Sequence, residues 1–388
     1  MALKVFISLS IILVLTGSAF KAEGTEVMVG WYGQIGEPGK LSGYAAYGTT
    51  LMLPYNGGFN PPQIGTYLNT AQTAGIKVWV DLRIEQTPLS EAGWKDIITT
   101  YKNHPALQGW YISDEPEYGG TSAATVQQYY NWTRAVDPDH PVAIAHAWQP
   151  HAEYVNGYDV LMIDVYPGWG YGAPDYNEFN SRVRDSYSRW KTGKDFCQQH
   201  NKGFVPVGLG FGQADLGNGV RDLSYNEYRW HTFSAVVLGI DGFLFWWDQY
   251  PSSTVRSRVE QMITQVNSIS TQMANGITND PAVTVSQPAT KIIYRHGTKG
   301  NQHVILSVNI SRYDAGDNNG EALTSVRFTL PVGIQTSQVE VLNENRTLPV
   351  IGGAFTDNFN PFEVHAYRFT TAGGDNTPPT PPSGLKVR

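Results

Sequence analysis

Eight short apolar runs alternate with segments of helical period between residues 27 and 276. Parallel strands need a long crossover between them, usually a helix, so this alternation predicts a parallel sheet covered by helices. Eight such units close a (β/α)8 TIM barrel, which takes about 250 residues. The predicted strands are Val27–Gly33, Thr50–Tyr55, Ile76–Leu82, Leu107–Ser113, Pro141–Trp148, Asp159–Tyr166, Phe204–Phe211 and Gly242–Trp247.

The intervals between these runs carry apolar residues three or four positions apart, which is the spacing of one helix face. One interval places Ile64, Tyr67, Leu68 and Ala71 on such a face, with Pro62 before them and Gly75 after them. Proline suits a first helical turn and glycine suits a helix end. The segment 34–48 is rich in glycine and predicts no clear first helix.

Beyond residue 276 the apolar runs follow one another without helical segments, which predicts a small antiparallel β-sandwich. We therefore divide the chain into a barrel at 25–276, a β-sandwich domain at 277–371 and a Pro/Gly-rich linker at 372–388. The linker resembles the entry into a fibronectin type III module, which would imply further C-terminal modules. The polar segment 314–321 is most simply a hairpin loop, because it lacks the acid spacing of a calcium loop. The predicted strands are Val304–Ser311, Ser325–Val332, Ser337–Asn343 and Glu363–Phe369.

Charge and composition narrow the class of partner. The formal net charge is −7 and no Lys/Arg-rich run is present, so we expect neither nucleic acid nor an anionic membrane as a partner. The chain has 11 Trp and 22 Tyr, of which some will belong to the core, but so many also suit a surface that stacks on sugar rings. A carbohydrate substrate is therefore the expected partner.

The N-terminus has the pattern of a secretory signal peptide. Lys4 precedes an apolar run that is too short to span a bilayer comfortably, and small residues follow it. We expect residues 1–22 to be removed, which predicts a secreted protein, extracellular or periplasmic, with no membrane contact after cleavage. Cys197 is the only cysteine, so no disulfide can form within the chain.

Two adjacent acids, Asp114 and Glu115, end the fourth predicted strand, and Pro116 follows them. In a parallel barrel the chemistry lies at the carboxyl ends of the strands. Two carboxyl groups held together cannot both ionise easily, so one pKa is expected to rise and to make that group a proton donor. Pro116 is expected to hold Glu115 in extended geometry. The alternative is that both acids merely cap the following helix.

The run GWYISDEPE (109–117) resembles the fourth strand of TIM-barrel glycoside hydrolases, where an acid/base Glu occupies the position of Glu115. The segments AVDPDHPV (135–142), LGIDGFLFWW (238–247) and NPFEVHAYRF (360–369) resemble later parts of such enzymes, so the likeness runs from about 26 to 369. Many of these enzymes carry a nucleophilic Glu at the end of strand seven. In the corresponding run here, PVGLGFGQAD (206–215), the strand end offers Gly212 and Gln213, and Asp215 follows only in the loop beyond.

Consecutive Asp and Glu at this position are similar to those of substrate-assisted hexosaminidases, which need no enzyme nucleophile. That resemblance implies that Glu115 protonates the leaving oxygen and later activates water, while Asp114 orients a 2-acetamido group that attacks the anomeric carbon. Such enzymes also use a Tyr to hold the acetamide and a Trp beneath the sugar. The candidates are Tyr166, Trp246 and Trp247.

Two alternatives stay open. A two-carboxylate glycosidase would pair Glu115 with Asp248 or Asp164, and a barrel without catalysis would be a carbohydrate-binding protein. No catalytic metal and no cofactor are predicted, because no cluster has metal-ligand spacing. Further strand-end residues that could line the barrel mouth and bind substrate are Trp31, Tyr32, Asp81, Arg83, His146, Trp148 and Gln213.

Overall fold

The computed structural model describes residues 26–33, 38–54, 61–86, 88–167, 176–212, 222–246, 252–273, 275–311 and 320–371. The signal-peptide segment, the linker, most of the polar loop at 314–321, Gln213, Trp247 and Asp248 lie outside these residues. Within the described residues no helix is both long and apolar enough to cross a membrane.

Eight parallel strands form a closed barrel, as the sequence predicted. Each strand pairs with the next, and the eighth pairs with the first, for example through Tyr32 opposite Trp246. The strands are β1 (Met28–Tyr32), β2 (Leu51–Leu53), β3 (Lys77–Asp81), β4 (Leu107–Asp114), β5 (Val142–Ala147), β6 (Val160–Asp164), β7 (Gly203–Leu209) and β8 (Gly242–Trp246).

Helices surround the barrel, and serines start several of them. The side chains of Ser90, Ser122, Ser224 and Ser252 each accept a backbone N–H at a helix N-terminus, which satisfies a donor that has no partner in the helix. The described α-helices are α1 (Leu41–Ala46), α2 (Pro61–Ala74), α3 (Glu91–Tyr101), α4 (Pro116–Gly119), α5 (Ala123–Val136), α6 (Tyr176–Gln199), α7 (Tyr225–Val236) and α8 (Ser253–Ser270). Two 3-10 helices cover Pro38–Lys40 and Ala152–Gly157.

The first interval does contain a helix, although the sequence predicted no clear one. The 3-10 turn Pro38–Lys40 leads directly into α1, which has only six residues. Only Leu41 and Tyr44 of α1 are buried, so the helix packs on the protein through two side chains. Two apolar residues among flanking glycines are too few to form a recognisable helical pattern in the sequence.

The C-terminal region forms two antiparallel sheets. The larger has the order β15-β14-β17-β12-β11-β9, and the smaller has the order β10-β13-β16. The strands are β9 (Ile277–Thr278), β10 (Thr284–Val285), β11 (Ile292–Lys299), β12 (Gln302–Asn309), β13 (Leu323–Thr329), β14 (Gln338–Val341), β15 (Arg346–Pro349), β16 (Ala354–Phe359) and β17 (Val364–Thr370). The four predicted strands correspond to β12, β13, β14 and β17, and the other five were missed.

One apolar core joins the barrel to the larger sheet. Ile293, Leu306 and Val364 of that sheet belong to the same buried cluster as the barrel strands and helices. The Trp230 indole N–H of α7 donates to the backbone oxygen of Asn309 over 2.7 Å. A second buried cluster, which includes Phe328, lies between the two sheets.

Candidate active site

A β-bulge in β4 turns Asp114 toward the inside of the barrel. Tyr111 pairs with Ala143 and Asp114 pairs with Ala145, so three steps along β4 match two steps along β5. In a regular strand, residues three apart point to opposite faces. Because β4 has one extra residue at the bulge, the side chains of Tyr111 and Asp114 point to the same face, inside the barrel. Bulges commonly redirect side chains in this way near active sites.

Three donors surround the Asp114 carboxylate. The hydroxyls of Tyr32 and Tyr111 donate to Oδ1 over 2.9 and 2.7 Å, and Arg83 Nη1 donates to Oδ2 over 3.1 Å. Burial and then the charge of Asp114 raise the pKa of both phenols well above the usual value, so both remain O–H donors. Asp81 fixes the buried Arg83, whose Nε lies 2.9 Å from Asp81 Oδ1. Asp114 is thus held in place by two phenols and a guanidinium group.

Glu115 has a left-handed backbone, with φ 45° and ψ 53°. The expectation that Pro116 holds Glu115 in extended geometry is therefore wrong. The reason is that α4 starts at once, and the Glu115 carbonyl accepts the N–H groups of Tyr118 and Gly119 over 2.9 Å each. The Glu115 side chain makes no capping hydrogen bond, which removes the capping alternative for this residue. A left-handed non-glycine residue is strained by about 1–2 kcal/mol.

The surroundings of Glu115 suit a proton donor. Burial, the charge of Asp114 and the charge of Glu117 together raise the pKa of Glu115 to about 7. Glu117 itself is held in place, because its Oε1 accepts the N–H of Ala147 over 2.8 Å. A carboxyl group with this pKa is substantially protonated at neutral pH, and general acids work best there.

Asp114 and Glu115 open into a cleft of about 320 Å³ at the mouth of the barrel. Its opposite wall is aromatic: Trp246 of β8 stacks on Tyr166 with ring centroids 5.1 Å apart, and Phe211 meets the edges of both. The lining residues are Tyr32, Asp114, Glu115, Tyr118, Ala147, Trp148, Asp164, Tyr166 and Trp246.

Asp164, at the end of β6, is a third carboxyl group in this cleft. It is only 6% exposed, and its Oδ2 accepts the Tyr166 hydroxyl over 2.7 Å. Burial, followed by the charges of Asp114 and Glu115, raises its pKa well above the usual value. Its surroundings therefore favour the neutral, protonated form of Asp164 over the carboxylate.

The structure brings seven of the predicted site residues to the cleft lining, namely Tyr32, Asp114, Glu115, Trp148, Asp164, Tyr166 and Trp246. Arg83 lies directly behind Asp114. Gln213, Trp247 and Asp248 lie outside the described residues.

Trp31 and His146 do not line the cleft, which corrects the expectation for both. Trp31 and His146 each come directly before a residue that lines the cleft, Tyr32 and Ala147. Because side chains alternate along a strand, Trp31 and His146 point away from the barrel interior. The indole of Trp31 donates to the Tyr47 hydroxyl beyond α1 over 2.8 Å. His146 packs on Tyr154 and Tyr158, and burial lowers its pKa to about 3.

Sequence reasoning missed Tyr111, Glu117 and Tyr118. Tyr111 stands at an odd distance from Asp114, and only the bulge brings the two together. Glu117 and Tyr118 lie on α4, a four-residue helix without a periodic pattern. The signal that could have located them is their position immediately after the acid pair at a strand end.

Among the described residues, no group of three or more His, Cys, Asp or Glu side chains could hold a metal ion. The described partners of Asp114, Asp164 and Glu117 are tyrosines, an arginine and a backbone N–H group.

The fold is that of a TIM barrel with an antiparallel C-terminal region, and comparisons with known proteins agree with it. Residues 80–205 match the family model described as "Glycosyl hydrolases family 2, TIM barrel domain". None of the curated protein sequences compared with this chain matches it.

Several solved structures share the architecture at low sequence identity. CelM2, a bifunctional glucanase-xylanase from a metagenome library, is 8% identical, with a TM-score of 0.58, over 90% of this chain and 97% of that chain. A family 5 glycoside hydrolase from Bacteroides vulgatus is 13% identical, with a TM-score of 0.54, over 89% and 90%. The α-amylase from Geobacillus thermoleovorans is 9% identical, with a TM-score of 0.56, over 90% and 99%. These likenesses establish the fold alone.

Proposed function

We propose that the protein is a secreted glycoside hydrolase in which Glu115 is the general acid/base. One observation carries the proposal: Glu115 lines an open cleft at the carboxyl end of β4 with a pKa raised to about 7. The glycosyl hydrolase family match over 80–205 and the glycosidases among the structural relatives support it. The apolar segment within residues 1–22 supports secretion.

Asp114 suits the binding of a substrate N–H or O–H group. A carboxylate offers about four lone-pair sites, and described residues occupy three of them on Asp114. Its side chain is 20% exposed. We therefore assign Asp114 to a 2-acetamido N–H, which would turn the acetamido oxygen toward the anomeric carbon.

The proposed reaction is retaining and substrate-assisted. The acetamido oxygen attacks the anomeric carbon as the glycosidic C–O bond breaks, and Glu115 gives its proton to the leaving oxygen. In the second step the Glu115 carboxylate takes a proton from water, which attacks the anomeric carbon and restores the acetamido group. The aromatic wall of Trp246 and Tyr166 offers an apolar face on which the sugar ring can stack.

A two-carboxylate mechanism is the second candidate, because Asp164 lies in the same cleft as Glu115. That mechanism needs an ionised partner for Glu115. The raised pKa of Asp164 argues against it as that partner.

The test is hydrolysis of nitrophenyl β-glycosides with and without a 2-acetamido group. We expect turnover of the acetamido substrates only, inhibition by a thiazoline analogue, and a loss of roughly 100-fold or more in kcat/KM for Glu115→Gln. Asp114→Asn should impair the acetamido substrates strongly. Asp96→Asn, an exposed substitution on α3, is the matched control and should leave the rate unchanged.

Each result separates the candidates. Equal turnover of plain glycosides would favour the two-carboxylate mechanism over substrate assistance. Sugar binding without any turnover would leave only a carbohydrate-binding protein.

A further inference from the structure

Asp164 has an oxygen that the described protein does not use. Its Oδ2 accepts the Tyr166 hydroxyl, whereas Oδ1 is buried and has no hydrogen-bond partner among the described residues. Asp164 nevertheless lines the cleft. A buried polar atom without a partner is destabilising by about 1–3 kcal/mol. A bound ligand could supply the hydrogen-bond partner that Asp164 Oδ1 lacks in the free protein.

The charges around Asp164 determine which form of the acid fits. Asp114 and Glu115 both disfavour a further negative charge there, and burial disfavours it more strongly. The cation of the site, Arg83, donates to Asp81 and Asp114. The neutral acid avoids a further buried negative charge close to Asp114.

Tyr166 determines which oxygen carries the proton. Its ring is fixed by stacking on Trp246, and its O–H donates to Oδ2 of Asp164. A protonated carboxyl group has one O–H donor, and an oxygen that already accepts a hydrogen bond is the poorer place for it. The proton therefore belongs on Oδ1, the oxygen that has no described partner.

We propose that Asp164 is a neutral carboxylic acid whose carboxyl group turns when a sugar enters the cleft, so that the Oδ1–H group, which is buried in the free protein, donates a hydrogen bond to a sugar oxygen. The inference rests on the proposed function for the identity of the ligand, since a sugar hydroxyl or acetamido carbonyl supplies the acceptor. Asp114 then accepts a hydrogen bond from the sugar and Asp164 donates one. This pair of complementary contacts would make Asp164 a specificity-determining residue.

Infrared difference spectroscopy at neutral pH tests the protonation directly, and it needs no substrate. The spectra of Glu115→Gln and of the double variant Glu115→Gln/Asp164→Asn are compared, because the first change removes the other titrating acid of the cleft. We expect the C=O stretching band of a protonated carboxylic acid to disappear with Asp164. Loss of carboxylate bands alone would overturn the proposal. Adding Asp96→Asn to Glu115→Gln should remove only carboxylate bands.

Kinetics of Asp164→Asn and Asp164→Leu test the donor role. Asparagine keeps a neutral N–H donor, so kcat/KM should fall less than about 10-fold, whereas leucine removes the donor and should lower it by roughly 100-fold. Equal and complete loss in both folded variants would show that Asp164 acts as a carboxylate, and would overturn the proposal. If the wild type hydrolyses no glycoside, the proposed function fails, while the infrared band still decides the state of Asp164.

Discussion

Asp114 and Glu115 are neighbours in the chain but have different surroundings. Asp114 receives hydrogen bonds from two phenols and a guanidinium group, and Glu115 receives the repulsion of Asp114 and Glu117. The donors fix the Asp114 carboxylate in place, whereas the raised pKa of Glu115 lets this acid keep its proton near neutrality. The pair therefore offers a fixed hydrogen-bond acceptor next to a proton donor.

The pH dependence of the reaction should follow Glu115. Because the general acid must be protonated, kcat/KM should fall as the pH rises through about 7. Asp114→Asn removes a charge that raises this pKa, so the alkaline limb should move to lower pH in the residual activity. Glu117→Gln should move it in the same direction by a smaller amount. A limb that stays in place in both variants would contradict this origin of the raised pKa.

At the scale of single residues, the sequence located the acid pair because two carboxyl groups at the end of a barrel strand are chemically conspicuous. It also placed Tyr32, Asp164 and Tyr166 at strand ends. It did not predict Tyr111, because the bulge depends on how β4 and β5 pair in space. It misplaced Trp31 because it named both Trp31 and Tyr32 at the end of β1, and successive strand residues point to opposite faces, so only one of the two can face the cleft.

At the scale of elements, the barrel mouth contains backbone strain. Glu115 follows β4 with φ 45°, and Trp148 follows β5 with φ 62°. Both side chains line the cleft. Strained non-glycine residues are retained where the surrounding structure and the function require them.

The strain at Glu115 predicts an unusual order of stability. Glycine adopts the left-handed region freely, so Glu115→Gly should be more stable than Glu115→Ala by about 1 kcal/mol in urea unfolding. The control pair on α3, Asp96→Gly and Asp96→Ala, should give the opposite order, because glycine destabilises a helix interior by about 1 kcal/mol. The same order at both positions would mean that Glu115 is not strained.

The elements of the barrel were predictable because its apolar strands and periodic helices have distinct patterns. The C-terminal strands were harder. β9 and β10 have two residues each, and β11 carries Arg295, His296 and Gly297 within one strand. These strands form because they hydrogen-bond to neighbouring strands that are distant in the sequence. The pattern of residues within each strand does not show this pairing.

At the scale of the whole molecule, the barrel and the larger C-terminal sheet are joined through α7. Arg229 is 5% exposed and its Nη1 donates to Glu344 over 3.2 Å and to the Val364 carbonyl over 2.5 Å. The shared apolar core continues around this contact. We infer that the two parts unfold together.

Substitution of Arg229 tests this coupling. Arg229→Ala removes a buried cation from Glu344, which keeps Arg346 and His365 as partners. We therefore expect a loss of about 2–3 kcal/mol in the free energy of unfolding, somewhat less than for an isolated buried pair. Calorimetry should still give one transition. The exposed Arg327→Ala on β13 should change stability by less than about 0.5 kcal/mol, and two separate transitions in the wild type would contradict the coupling.

The most direct test is the titration of the glutamate side chains by carbon NMR on protein labelled at the carboxyl carbons. One glutamate should titrate near pH 7, and its signal should be absent from Glu115→Gln. If the signal lost in that variant instead titrates in the ordinary range of exposed glutamates, Glu115 is not a protonated acid at neutral pH. The proposed chemistry of the cleft would then be wrong.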